Sequence, residues 1–290
     1  MKLKYIHKVA EKFPYDYEEP PICKVVLWDF SKANENEESR KEAVCLVASI
    51  SYGNEYCKDP DRLWNLLIER GHESPFEFVR CWDVGDLRNS DYINWEKAIK
   101  EFNQDHDSYI SSSISINKRF FATFKLKVPI FVARQIQRHR AFSYMEMSRR
   151  YVKGNKVKFF CWLGREAIIH PDIRIGSCMM GEMAYEQLIT EGWEPEQARA
   201  FLPLGLYTQF WMQGDYRAWL NFFIHRLHPE AQEETRLVAK SMWNLLKEHQ
   251  PEIVKMMADY LDRWVEDCNP IFTPARQKRA EWFKREFLEE

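Results

Sequence analysis

Five arginines and one histidine fall within the 18 residues 134–151, against a single carboxylate, Glu146. Such a density of guanidinium groups is suited to anions, because the planar fork pairs bidentately with phosphate oxygens and keeps its charge at any physiological pH. Gln135 and Arg138 are three apart and share a face if the segment is helical, so a carboxamide able to read an amide-like base edge would sit beside a phosphate-binding group. Ser143 and Ser148 add hydroxyl donors. A charge run is more often a solvated strip or a non-specific nucleic-acid surface. Here Ile130, Phe131 and Val132 lead into the cluster, and Phe142, Tyr144, Met145 and Met147 interrupt it. Apolar neighbours imply partial burial, and a buried charge needs a partner. The residue types therefore suit a phosphorylated, hydrogen-bonding ligand such as a nucleotide.

The elements that must position this cluster are legible on either side of it. Ala122, Phe124, Leu126 and Val128 alternate with Thr123, Lys125 and Lys127, the pattern of a half-buried strand. Pro129 should end that strand and open a helix from Ile130 to about Gln137. Upstream, Asp59 caps a predicted helix over 59–70, with Pro60 in its first turn, Leu63, Trp64, Leu66 and Leu67 on its apolar face and Gly71 at its end. The polar turn His72 to Glu77 leads into a predicted strand at 76–82. Downstream, helices are predicted from Pro195 to about Phe201, over 206–226, from Pro229 through Val238, Met242, Leu245 and Leu246, and from Thr273-Pro274 onward. A small antiparallel or mixed sheet with many helices makes the class α+β (or α/β).

With 290 residues, 45% of them hydrophobic and 15% aromatic, the chain can bury a substantial core as a single domain over 1–290. Residues 83–118 read as an insertion, with Ser90 capping a helix that carries Tyr92, Trp95, Ala98, Ile99 and Phe102, and 251–290 as a helical extension. A net charge of −2 argues against a polyelectrolyte binder, so no specific nucleic-acid partner is expected. Seven cysteines without a CxxC pair point to a reducing, cytoplasmic setting. The charged start of the chain does not read as a secretory signal, and no run approaches the ~18 apolar residues of a membrane span.

Other chemistry-bearing residues have plainer readings. His225 and His228 are three apart with Glu230 nearby, but Pro229 intervenes and no third ligand is evident, so they read as helix-end packing and no metal is expected. His72-Glu73 reads as turn capping ahead of a general acid–base pair. Met179-Met180 and the tryptophan-rich segments read as core or subunit interface, and Arg276 to Glu290 as a solvated helix of mixed charge. No phosphate-binding P-loop or GxGxxG fingerprint is present.

The order of residues says more than their composition. Arg138-His139-Arg140 followed by Ser143, Glu146, Ser148 and Arg150 resembles the signature of the flavin-dependent thymidylate synthases. Three further blocks agree in the same order: His72 to Glu77, Val128 to Gln135, and Arg199 to Thr208 with Arg217, Asn221, Arg226, Ala231-Gln232 and Glu234. The resemblance covers about 40–250 and implies a divergent member of that family. It implies FAD, NADPH and methylene-tetrahydrofolate as cofactors, dUMP as substrate, and a homotetramer with active sites shared between subunits. Carried over residue by residue, it implies dUMP contacts from Gln135 and Arg138 of a neighbouring chain, from Glu146, Met147, Ser148, Arg149 and Arg150, and from Arg199. Arg226 would lie against the uracil ring as the catalytic group. FAD would be held by Ser74, Arg138, His139, Arg140, Glu146, Asp215, Arg217 and Asn221. Uracil carbon 5 is nucleophilic only when electron density is pushed into the ring, and a guanidinium beside the imide favours its anionic form. No protein nucleophile is required, and Ser148 is assigned to ligand binding.

Four positions depart from the family pattern. Met145 stands where Asn is usual, Asp215 where a flavin-contacting Asn is expected, Phe78 in place of a second His, and His225 in place of an apolar residue. An ionised carboxylate accepts but does not donate, so Asp215 must either leave the flavin differently bound or pair with Arg217. The alternatives are an alkylase of another pyrimidine nucleotide, UMP or a hydroxymethyl product included, and a non-catalytic nucleotide-binding relative.

Overall fold

A computed structural model describes residues 5–11, 23–28, 37–54, 56–72, 74–79, 121–150, 171–266 and 274–289. The expected insertion at 83–118 lies outside them. Five strands form one sheet: β1 (Tyr5–Glu11), β2 (Cys23–Trp28), β3 (Phe121–Pro129), β4 (Ser143–Glu146) and β5 (Tyr207–Asp215). Their order is β1-β2-β3-β5-β4, and every neighbouring pair is antiparallel. Nine α-helices are described: α1 (Glu37–Ser49), α2 (Pro60–Glu69), α3 (Ile130–Ile136), α4 (Pro171–Thr190), α5 (Pro195–Ala198), α6 (Tyr216–Arg226), α7 (Glu233–His249), α8 (Pro251–Glu266) and α9 (Pro274–Phe283). The α+β class expected from the sequence is the one observed.

The period-2 pattern of the sheet divides its side chains between two cores. Val25 and Leu27 of β2, Ala122, Phe124, Leu126 and Val128 of β3, and Phe210 and Met212 of β5 join the buried faces of α3 and α6 to α9 in one cluster. On the opposite face Trp211 packs with Val47, Ile50, Phe78 and Met147. α6 explains why the first core is large. Tyr216, Ala218, Trp219, Leu220, Phe222, Phe223 and Ile224 are all buried, so the helix is apolar almost all round and lies inside the domain. Burying each large side chain contributes about 1.5–3 kcal/mol, and the Trp219 indole donates to Ala122 O at 3.2 Å.

Several expected boundaries hold for the reasons given. Asp59 accepts from Arg62 N at 3.1 Å and caps α2. Gly71, at φ 65°, ends the same helix with Gly71 N donating to Ile68 O and His72 N to Leu67 O, the paired bonds of a glycine-terminated C-cap. Pro129 closes β3 and opens α3.

Three readings are corrected. Where the strand at 76–82 is expected to begin there is a 3₁₀ turn over Ser74–Phe78, with Pro75 and Phe78 buried, and 80–82 lie outside the described residues. Proline pre-sets the φ of a helical turn and has no N–H for a sheet ladder. The helix expected over 206–226 is a strand followed by a helix. β5 lies between β3 and β4 and is covered on both faces, so its apolar residues run on without alternation, and a short continuous run does not distinguish the two states by period. The helix expected at Pro229 begins at Glu233, after a turn. Of the two readings given for Met179 and Met180, core or subunit interface, the exposure of both on α4 leaves the interface.

Candidate active site

Local chain geometry brings the arginine cluster to the end of α6. After α3 the chain turns through 137–142 and returns as β4 along the edge of β5. Tyr144 holds that turn closed, its hydroxyl lying 2.8 Å from His139 O and 3.1 Å from Ile136 O. Burial raises the Tyr144 phenol above its usual value, so it stays protonated and donates. Gln135 is fixed from α7, where Thr235 Oγ1 donates to its carboxamide oxygen at 3.0 Å and Gln232 accepts from its amide nitrogen.

Arg226, in the last turn of α6, is the junction of these elements. Its Nε donates to His139 Nε2 at 2.8 Å and one terminal nitrogen donates to Gln135 O at 2.8 Å. Both acceptors are neutral. The His139 ring packs edge-on against Phe222 at 5.1 Å. Burial first, then the positive charge of Arg226, pushes the His139 imidazole down to about 3. A neutral ring with Nε2 as acceptor is the state this hydrogen bond requires. Burial likewise lowers the Arg226 guanidinium, and the like charge of Arg138 adds to the effect.

A cavity of about 650 Å³ opens at this junction, within the usual range for small-molecule sites. Among the described residues, its lining includes five arginines, Arg138, Arg140, Arg226, Arg276 and Arg279, and one carboxylate, Glu230. Burial shifts His225 and His228 downward, so neither adds positive charge at neutral pH. Among the described residues, the positive charge of the cavity therefore comes from guanidinium groups. Such a site takes a phosphorylated or otherwise polyanionic ligand.

Comparison with known proteins gives the family. Residues 105–252 match the family described as thymidylate synthase complementing protein. A flavin-dependent thymidylate synthase of Thermotoga neapolitana is 37% identical over 214 residues, covering 71% of this chain and 80% of the relative. Similar enzymes from Thermosipho africanus and Thermus thermophilus are 27% identical over 229 residues and 35% identical over 144, covering 72% and 44% of this chain and 82% and 53% of the relatives. The chain belongs to the flavin-dependent thymidylate synthase family.

For a flavin-dependent thymidylate synthase-family chain, the expected site residues divide into two groups. Arg138, His139, Arg140, Asn221 and Arg226 line this cavity together, and Gln135 supports Arg226 through its backbone carbonyl. The second group stands outside that cavity. Arg150 Nε is 3.0 Å from Glu196 Oε2, and Arg199 Nε donates to Glu196 O at 3.2 Å, so these two arginines meet at Glu196. Glu146 accepts from Thr208 at 2.6 Å and from Gln137 at 3.0 Å on the β4 edge. Met147 is buried beneath the sheet, Ser148 N donates to Ser51 O at 3.1 Å, and buried Arg149 donates to Tyr207 O at 3.3 Å. Ser74 is exposed in the 3₁₀ turn, away from the cavity lining.

The departures from the family pattern acquire physical roles. Asp215 Oδ1 accepts from Ala218 N at 2.8 Å and caps α6. Arg217 lies over the Tyr216 and Tyr260 rings, at 5.4 and 5.7 Å. Phe78 joins the second core with Met147 and Trp211, and Met145 packs against it. His225 Nδ1 bonds Asn221 O at 2.8 Å within α6 and faces the cavity. His228 Nδ1 lies 3.7 Å from Glu230, which is also bonded by Arg279. Among the described residues, no three potential metal ligands converge.

The segment read as a solvated C-terminal helix is corrected. α9 buries Ala280 and Phe283, with Phe283 edge-on to Trp243 at 5.3 Å, and presents Arg276 and Arg279 to the cavity. The available signal was the spacing: 276, 279, 280 and 283 share one helix face, where two guanidinium groups adjoin an apolar stripe.

Proposed function

We propose that this chain catalyses the reductive methylation of dUMP to dTMP, using methylene-tetrahydrofolate as carbon donor, NADPH as reductant and FAD as bound cofactor. The observation that supports this reading best is Arg226: a guanidinium braced by two neutral acceptors at the wall of a cationic cavity. Partly buried positive charge held on neutral partners favours an incoming anion. Against a uracil imide it would stabilise the deprotonated ring and raise electron density at carbon 5, which must attack the one-carbon unit and then lose its proton.

The residues present suit FAD. Arg138, His139, Arg140 and Asn221 offer guanidinium, imidazole and carboxamide groups around one cavity, a set matched to phosphates and a hydrogen-bonding heteroaromatic ring. When bound, FAD supplies the hydride transfer, and the chain supplies orientation and charge. Tyr144 keeps the 136–140 turn shaped, and His139 holds Arg226 Nε so that the guanidinium plane is fixed before substrate arrives. Ser74, Glu146, Asp215 and Arg217 would reach the flavin, and Glu146, Met147, Ser148, Arg149, Arg150 and Arg199 the nucleotide, in a homotetramer whose sites combine residues of different subunits.

The reading is tested with purified protein reconstituted with FAD. Tritium release from 5-tritiated dUMP, dependent on both folate and NADPH, is expected, together with growth of a thymidine-requiring strain expressing the chain. No release with dUMP but release with UMP would assign another pyrimidine nucleotide. Polynucleotide binding without turnover would assign a non-catalytic relative.

A further inference from the structure

We infer that His225 reads the imide edge of a ring bound in the cavity: its Nε2 accepts a hydrogen bond from the ring N–H, while the Asn221 amide donates to the adjoining carbonyl. The inference rests on the flavin-and-pyrimidine reading and deepens it, by giving the site a residue that selects the protonated form of an imide.

The tautomer carries it. His225 Nδ1 lies 2.8 Å from Asn221 O. A carbonyl oxygen only accepts, so Nδ1 carries the ring proton, and the lone pair of the neutral ring sits on Nε2. The two ring nitrogens point apart. With Nδ1 turned to the backbone of α6, Nε2 is directed off the helix, and the ring lines the cavity. The other two histidines among the described lining residues are committed differently. His139 Nε2 already accepts from Arg226 Nε at 2.8 Å. His228 Nδ1 accepts from Glu230 N at 3.3 Å, which places its proton on Nε2. Asn221 stands one turn before His225 on the same face of α6 and also lines the cavity. Arg276 donates to its carboxamide oxygen at 2.9 Å, which sets the orientation of the amide and makes its nitrogen the opposite end. A donor and an acceptor so paired match the carbonyl and N–H of an imide.

The charges around His225 make it a hydrogen-bond acceptor and a poor base. Burial lowers the imidazole, the Asn221 carbonyl offsets part of this, and the charges of Arg276, Arg279 and Arg226 lower it further. Imidazolium is disfavoured, so the ring accepts the N–H without taking its proton. Arg226, by contrast, favours an ionised imide. One ring does not meet both demands, so uracil at Arg226 and the pyrimidine portion of the flavin at His225 are the expected pairing.

N3-methylated ligands, which lack the imide N–H, test this and name the ring. Full-length protein is titrated with FAD against N3-methyl-FAD by flavin fluorescence. The FAD-loaded protein is then titrated with dUMP against N3-methyl-dUMP by calorimetry. Wild type should bind the methylated form of one ligand about tenfold more weakly, the worth of one hydrogen bond. The ligand that shows the loss is the one His225 reads. In H225L, which keeps a side chain of similar bulk, that ratio should fall to about one. H225Q, whose carboxamide oxygen accepts, should restore part of it. A purely structural role for His225 would weaken both forms equally and leave the ratio alone. Wild type without N3–H selectivity in either arm, or H225L with the wild-type ratio, would overturn the inference. Selectivity that depends on His225 without tritium release from dUMP would sink the synthase reading and leave the inference standing. Normal tritium release with no selectivity in either arm would do the reverse.

Discussion

Arg226 and His139 form a pair in which each fixes the other's state. The guanidinium needs an acceptor, and a ring pushed down to about 3 presents one across the whole physiological range. Replacing Arg226 with Gln removes the cation and should lower kcat/KM for dUMP by about a hundredfold or more, the scale on which a single transition-state donor acts. R226K should recover little, because an ammonium lacks the planar fork that spans His139 Nε2 and Gln135 O. Near-wild-type tritium release from R226Q would remove Arg226 from the chemistry. The His139 shift also sets a pH dependence. The unfolded ring takes up a proton near its ordinary value of 6.5, whereas the folded ring resists until about 3. The stability associated with neutral His139 is therefore constant above about 6.5 and is lost as pH falls through the window toward 3. H139Q cannot titrate, so the wild-type melting temperature should fall relative to H139Q between pH 7 and pH 4.5. A difference that stays constant over that interval would show that His139 is not held neutral by the fold.

Two substitutions test how β5 and α6 position these residues. D215A removes the carboxylate that caps α6 at Ala218 N and should cost about 1 kcal/mol, while D215N keeps a capping oxygen and should cost less. Urea melts that leave D215A as stable as wild type would deny the cap. G214A is the sharper case. A Cβ on Gly214 would lie 2.5 Å from Phe142 Cε1, and that ring is wedged 4.6 Å from Trp219. A ring displaced by that Cβ must press on Trp219 or shift the wall of the cavity it lines, so G214A should cost about 1–3 kcal/mol through overpacking and weaken ligand binding as well. Equal denaturation midpoints would show that Phe142 yields freely. The same elements show what was legible in the sequence. β3, Pro129 and α3 announced themselves because alternation, a proline boundary and a helical period each have a local cause. β5 did not, because burial on both faces erases alternation, and its partners lie far away along the chain. The Arg138–Arg140 half of the site was legible from residue order, and its meeting with Arg226 followed from the family resemblance. Arg276 and Arg279 were not, because a mixed-charge helix shows its inner face only once its docking against Trp243 is known.

At the scale of the molecule, one chain holds two separate arginine groups. Arg138 and Arg226 share the cavity, whereas Arg150 and Arg199 meet at Glu196 outside it. If both groups touch one nucleotide, a second copy must bring its Arg150–Arg199 group to the first copy's cavity. The exposed apolar side chains Met179, Met180 and Met183 of α4, with Phe201 and Leu204 nearby in sequence to Arg199, are surface that such an assembly would cover. The arrangement can be tested by complementation. R226Q and R199Q are each expected to be nearly inactive as homo-oligomers. When they are unfolded together and reassembled, a site drawing Arg226 from one chain and Arg199 from another regains both wild-type residues in about a quarter of random pairings, so about a quarter of wild-type turnover should return. A site built within one chain would give no recovery at any mixing ratio, since every site would keep one defect. Recovery that disappears in M180E/M183E, with gel filtration showing smaller particles, would tie the shared site to the α4 face.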